Sequence, residues 1–354
     1  MIPSIRARST RRLLPVAFSM LVTVTVAAVL PQDGTRPPPT EDRPARAFLR
    51  RPNVTYVDTP WLARGCRSGC WNAYLTLTPA YARRARRAPR PEARLGTLPR
   101  PAAAGGPGDE LRRRIIDGLG IGFLIDGLAE RPLAVAVLGE SRTRDGTVRR
   151  RLLLWDPAVG SFEATLLLPA GRGPFPGVVG LHGHRDDDVT FAEEFLGERL
   201  AENGVAVLMP RFRVHDCSLL ENLIARKLLD QGLTLLGLRV YETLLMYKVL
   251  DDLDAVDARR VGLLSHSGGS STANLVVRIS DAFRAHVADY RVDYLNACGP
   301  LDVHCETVSA LAPLATQVND FSTLTIPHLL VPYKFSDPRL RREIVTFFRR
   351  HLAG

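Results

Sequence analysis

"RVGLLSHSGGSSTANLVV", residues 260–277, passes from one texture to another without a linker. Its start is an apolar run of the kind shown by a strand buried on both faces. From Gly268 onward, small residues lead into a helical stretch. Ser267 stands at the change, with Ser265 two positions before it and Gly269 two after, a small-x-Ser-x-Gly pattern. A serine hydroxyl is a poor nucleophile unless a tight strand-to-helix turn exposes it to a base and aims the next N–H at the developing oxyanion. Such a turn brings strand and helix so close that only small residues fit beside the serine. The pattern therefore predicts Ser267 as a nucleophile and the N–H of Gly268 as an oxyanion donor. A glycine-rich phosphate loop is the competing reading, and it lacks the lysine that such a loop uses.

The flanking sequence predicts the frame. "LAVAVLGE" (133–140), "TVRRRLLLW" (147–155) and "SFEATLLLP" (161–169) read as strands, the first two joined at the Asp145-Gly146 turn signal. "GVVGL" (177–181), "VAVLMP" (205–210), "RVGLL" (260–264) and "PHLLVPY" (327–333) read as further strands. Helical stretches lie between them at about 190–203 and 218–253, the second interrupted near Gly232 and Gly237, and a terminal helix closes at Leu352. Strands alternating with such helices imply an α/β fold: a mostly parallel sheet with helices on both faces. No internal repeat is evident.

"VVGLHGHRDDD", residues 178–188, admits two readings. His182, His184 and Asp186 have the look of a metal-ligand cluster. The comparable binuclear motif continues with another histidine, where this chain has Asp187. The loop also ends a strand upstream of the Ser267 turn, at the top of a sheet where a loop can help hold a reaction's oxyanion. No metal site is expected. Asp186, Asp187 and Asp188 are then read as a solvated cluster at a helix start.

Three stretches, "FPGVVGLHGH", "LAENGVAVLMPRFR" and "GLTLLGLRVYETLLMYKVLDDLDAVDARRVGLLSHSGGSSTANL", resemble the α/β-hydrolase superfamily, in its dienelactone hydrolase and acetyl xylan esterase-like branch. The resemblance spans about residues 112–352 and is most specific over 232–275. It implies a serine carboxylic-ester hydrolase with a Ser–Asp–His triad in that chain order and no cofactor. Carried over by position, Ser267 is the nucleophile, Gly268 and the Gly183–His184 loop form the oxyanion hole, and Asp337 in "VPYKFSDP" is the acid, with Asp320 the weaker choice. The histidine departs from the pattern. His351 is the one histidine after Asp337, on a helical face with Ile344 and Phe347, and it is assigned as the base. His328, His304 and His266 are the alternatives, each with a structural reading. The last strand and its histidine loop are thus expected to be shortened. Two functions follow: hydrolysis of a small acyl or acetyl ester through an acyl-enzyme at Ser267, or a degenerate hydrolase fold that binds a ligand or partner in its cleft.

The N-terminal third has a different character. Residues 1–114 carry 21 Arg against 7 Asp/Glu, so the net charge of +10 belongs to this segment, and residues 115–354 are net acidic. No nucleic-acid partner is expected of the body. Arg6, Arg8, Arg11 and Arg12 precede an uncharged run over 13–30, which reads as an export signal or a membrane anchor (1–30). Residues 31–111 are Pro/Arg-rich and too poor in apolar periodicity to order themselves throughout, and they offer an electrostatic route to an anionic envelope surface. Residues 112–354 form the expected hydrolase domain. Export to a periplasmic or extracellular space also suits the five cysteines, of which Cys66/Cys70 and Cys298/Cys305 are closely spaced. The oligomeric state is not legible.

Overall fold

The computed structural model describes residues 54–56, 107–126, 128, 131–184, 186–213, 225, 228–229, 232–292, 294, 308–332 and 335–353. The proposed export segment therefore lies outside the described residues, as do the cysteines and most of 31–111. Among the described helices, none is long and apolar enough to cross a membrane.

One mixed sheet organises the chain. Its strands are β1 (Val54–Tyr56), β2 (Leu133–Arg142), β3 (Val148–Asp156), β4 (Gly160–Leu168), β5 (Phe175–Leu181), β6 (Ala206–Pro210), β7 (Val256–Ser265), β8 (Ala285–Ala288) and β9 (His328–Leu330). They lie in the order β1-β2-β3-β4-β6-β5-β7-β8-β9. β2, β3 and β4 form an antiparallel meander, and β4 meets β6 antiparallel. From β6 through β5, β7 and β8 to β9 every pair is parallel. β1, from within the Pro/Arg-rich segment, adds in parallel to β2. The turn between β2 and β3 is the one the sequence signalled: Gly146 takes φ +89, and the Asp145 carboxylate accepts the Thr147 hydroxyl.

Four helices of more than ten residues complete the described fold: α1 (Pro107–Leu119), α2 (Leu235–Asp252), α3 (Gly268–Ile279) and α4 (Pro338–His351). Alternating side chains of the central strands send neighbours to opposite faces. Val179, Leu181, Leu208 and Leu263 pack with Val249 and Leu250 of α2 and Leu275 and Val276 of α3. Val178, Val207, Met209 and Leu264 pack on the other side with Leu200 and with Ile344 and Phe348 of α4. The expected architecture, a largely parallel sheet covered on both faces, is what forms.

The expected interruption near Gly232 is present: residues 225 and 228–229 are helical, and α2 starts beyond it. Gly232, at φ +79, breaks the chain, and Thr234 caps α2 by accepting the Gly237 N–H at 2.9 Å. Gly237 is no interruption but part of the first turn of α2. A Cβ there would stand 2.6 Å from the Leu119 carbonyl oxygen.

The connections create the site. The chain leaves β5 to form β6 on one side, then returns across β5 to form β7 on the other. In open α/β sheets, the crevice at the carboxyl ends of strands flanking such a reversal is where ligands bind. The loops after β5 and β7 both open there.

Two histidines next to this sheet centre are buried, His182 after β5 and His286 on β8. Burial pushes both well below the ordinary imidazole range, to about 3. The folded state holds them neutral while the unfolded chain takes up protons near 6.5, so stability is full above that pH and declines between about 6.5 and 3. For His286 the loss amounts to several kcal/mol, on the order of 1.4 kcal/mol per pH unit. The His286→Phe variant, which keeps the ring and removes the buried nitrogens, should unfold with a shallower dependence on acid. Urea titrations at pH 7 and pH 4.5 check this; an unchanged slope would contradict the assignment.

Candidate active site

β7 ends at Ser265 and α3 begins at Gly268, leaving two residues for the whole reversal. Ser267 makes it by adopting φ +50, ψ −119, a region a side-chain-bearing residue enters only when its surroundings hold it there. The surroundings are close. A Cβ on Gly269 would overlap the Leu181 carbonyl, lying 2.7 Å from its carbon and 2.8 Å from the His182 oxygen. The His266 N–H donates to that same Leu181 carbonyl at 3.0 Å. Ser265 occupies a position where glycine is usual, and its hydroxyl is accommodated: it donates to the Val287 carbonyl at 3.0 Å and lies 3.1 Å from the Ser270 hydroxyl.

The loop after β5 lies directly against this turn. A Cβ on Gly183 would stand 2.9 Å from the Ser267 Cβ, 2.9 Å from the His266 ring and 3.3 Å from an Asp186 oxygen. Gly183, Asp186, His266 and Ser267 thus converge on one point. His184 occupies the turn that follows, half-buried. Ser267 is itself half-buried, and its hydroxyl has no hydrogen bond to a described residue. Gly268 N–H, at the helix start, has no acceptor among the described residues. A partly exposed hydroxyl beside a helix N-terminus and a glycine loop is an arrangement that can hold a carbonyl carbon against oxygen, with donors at its oxygen.

A buried carboxylate that sequence reasoning missed organises the turn. Asp289, directly after β8, accepts the Ser267 N–H at 2.8 Å and the Ser270 hydroxyl at 3.0 Å on one oxygen. On the other it accepts the His266 Nδ1–H at 2.5 Å. Its signal in the sequence is an acid at the carboxyl end of the short apolar strand "AHVA", which is too brief to stand out.

In the His-Gly-His loop, His182 is held by backbone on both sides of its ring. His182 Nε2 accepts the Phe212 N–H at 3.0 Å, and its Nδ1 donates to the Gly183 carbonyl at 2.9 Å. Both nitrogens of a buried, neutral ring are committed to backbone, which leaves no lone pair for a cation. Among the described residues no cluster of three His, Cys, Asp or Glu side chains could hold a metal ion.

The three aspartates behave differently from a solvated cluster. Only Asp187 caps the short helix at 188–190, accepting the Thr190 N–H at 2.8 Å. Asp188 is buried, accepts the Thr165 hydroxyl at 2.6 Å, and burial raises its pKa. Asp186 turns inward, 3.8 Å from His266 Nε2; burial raises its carboxyl too, against the pull of the imidazole.

The remaining assigned residues are not drawn to this point. Asp337 is exposed and caps α4, accepting the Arg339 N–H at 2.8 Å. Asp320 likewise caps a one-turn helix through Ser322. His351 lies at the far end of α4, its ring against Phe347. Its neighbour Leu352 packs near Gly262, and the Leu352 carbonyl accepts from Arg260 at 3.4 Å. Arg260 is seven residues back along β7 from Ser267, roughly 20 Å at strand rise, so His351 is at the wrong end of the sheet to serve as base. The reason is the direction of α4, which starts beside the site, where Phe335 touches His266, and runs away from it. His328 begins β9, exposed and bound to the Ile326 carbonyl. His304 lies outside the described residues.

No family model and no curated protein matches the sequence. Among solved structures, a candidate acetyl xylan esterase from Bacteroides fragilis NCTC 9343 is similar in fold. It is 12% identical, with a TM-score of 0.51, covering 69% of this chain and 71% of that one. An acetyl xylan esterase from Paenibacillus sp. R4 is 10% identical, with a TM-score of 0.48 over 71% of this chain and 97% of that one. The likeness to the first is one of fold: this chain has the α/β-hydrolase architecture.

Two substitutions should separate strain from packing at the turn. Ser267→Gly removes the left-handed strain and should raise stability by about 1 kcal/mol. Gly269→Ala forces a methyl group into the Leu181 carbonyl and should lower it by about 3 kcal/mol. Chemical denaturation of both variants reads the difference, and equal effects would argue against a strained elbow.

Proposed function

We propose that the protein is a serine-dependent hydrolase of a carboxylic ester, with a small acyl or acetyl group as the acyl part. The observation that carries this reading is the Ser267 turn, at φ +50 with its Cβ against Gly183. A strained serine at a strand-to-helix turn is the arrangement that exposes a nucleophilic hydroxyl.

In this reaction the Ser267 oxygen attacks the ester carbonyl, forming the C–O bond, while its proton passes to a general base. The carbonyl oxygen gains the negative charge and is received by the N–H of Gly268 and by the Gly183–His184 loop. Collapse of this intermediate breaks the bond to the alkoxy group, which leaves with the proton from the base. Water then repeats the sequence on the acyl-enzyme and releases the carboxylic acid. The base is a histidine, and His184, which stands in the loop facing Ser267, is proposed for it. Among the other described histidines, His182 is bound to backbone, the Nε2 of His266 faces Asp186, His286 lies in the core, and His328 and His351 lie away from the turn.

A second reading has one specific observation in its favour: the Ser267 hydroxyl meets no imidazole among the described residues. In that case the cleft binds an ester-like ligand without turning it over. A fluorophosphonate probe separates the two. Stoichiometric labelling that is lost in Ser267→Ala supports the hydrolase, and alanine at the true base should slow turnover by about 10⁴-fold or more. Absence of labelling in the folded protein would leave the binding reading.

Export is the setting proposed for this activity, on the strength of the arginines before the uncharged run over 13–30. N-terminal sequencing of protein made in a bacterial host should find a mature start beyond residue 28; a retained Met1 in the soluble cell fraction would refute it.

A further inference from the structure

We infer that Asp289 and His266 form a positioning brace that sets both the nucleophile turn and its distance from the loop after β5. This rests on the reading of Ser267 as the nucleophile. It goes further, because it assigns a role to two residues outside the attacking and oxyanion-binding set.

The geometry divides the labour between the two carboxylate oxygens. Oδ1 of Asp289 takes the Ser267 N–H at 2.8 Å and the Ser270 hydroxyl at 3.0 Å. These are the residue in the left-handed conformation and one in the first turn of α3, so this oxygen spans the reversal and holds its ends in register. The Ser270 hydroxyl also accepts the Asp289 N–H at 3.3 Å, which fixes the carboxylate relative to β8 in return. Oδ2 takes the His266 Nδ1–H at 2.5 Å. That bond selects the tautomer and orients the ring, which Phe195 and Phe335 flank at centroid distances of 4.6 and 5.3 Å. A ring held this way turns Nε2 toward Asp186, 3.8 Å away in the loop after β5. The same ring edge is what a Cβ on Gly183 would strike. The line Asp289–His266–Asp186 therefore runs from the end of β8, under the Ser267 turn, to the loop that faces it.

A charged group buried among hydrogen-bond donors stays where those donors hold it, and removing it leaves them unsatisfied. Released from Oδ1, the turn has a lower-energy backbone available, since nothing else among the described residues accepts the Ser267 N–H. Released from Oδ2, the ring can take the other tautomer, and its contact with the Asp186 side of the cleft changes.

The test uses the full chain with two substitutions and two readouts. Asp289→Ala removes both oxygens. Asp289→Asn keeps an oxygen for Ser267 and Ser270 but presents an amide to His266. Hydrogen exchange read by mass spectrometry over residues 262–270 reports the turn without requiring activity. The alanine variant should exchange there about tenfold or more faster than the parent, with β5 and the rest of β7 unchanged, and the asparagine variant should regain most of the protection. Fluorophosphonate labelling of Ser267 should fall by about 100-fold in the alanine variant, the size expected for a misplaced nucleophile, and recover to within about tenfold in the asparagine variant. Parent-like exchange in the alanine variant would overturn the brace. So would asparagine behaving as badly as alanine, or loss of protection across the whole sheet in both, which would make Asp289 a folding residue and not a local one. If the parent itself takes no label, the hydrolase reading fails while the exchange arms still decide the brace.

Discussion

The approach of α3 to the end of β5 governs the geometry of the cleft. Leu181 and Ser265 are paired across parallel strands, and the Leu181 carbonyl receives the His266 N–H while leaving no room for a methyl group on Gly269. With strand and helix fixed this closely, the two residues between them have no relaxed path. One of them, Ser267, takes the left-handed conformation as a result. The same proximity lays Gly183 on the Ser267 Cβ, so the Ser267 turn and the loop that faces it are set by one packing contact and not by two independent ones. A glycine at each point of contact is a steric requirement here, independent of any role in flexibility.

Histidines that look alike in the sequence are separated by what surrounds them. His182 is held neutral because backbone supplies one donor and one acceptor, the complement of an uncharged ring, in a setting where charge is costly. His266, also buried, instead meets a carboxylate at its Nδ1 and another beyond its Nε2. The first is a peg that ties the end of β5 to Phe212 after β6. The second is an electrostatic link across the site. Neither role is available to His351, which the direction of α4 carries to the opposite end of the strands.

Much of the fold was legible because its signals are local. Apolar runs at 177–181, 205–210 and 260–264, the Asp145-Gly146 turn and the small-x-Ser-x-Gly spacing each depend on near neighbours in the chain. What escaped depends on distance. Asp289 reaches Ser267 only because β7 and β8 are adjacent, and nothing in "AHVADY" announces that. Gly237 looked like a break because its reason for being small is a carbonyl on α1, more than a hundred residues earlier. Asp188 looked solvated because its partner Thr165 lies on β4. The acid and base of the triad were placed by chain order, and chain order says nothing about which end of a strand a helix runs toward.

The central pairing of β5 with β7 also bears on how this cleft comes into being. Leu181 and Ser265 are 84 residues apart in the chain, and β6 and α2 must be threaded between them before they can meet. Contacts of such long range carry the loop-closure entropy of the intervening chain, a cost that local contacts do not share. The strained turn at Ser267 therefore depends on a pairing that exists only when the middle of the sheet is closed. The cleft is thus a product of the finished sheet and not of any one segment of the chain.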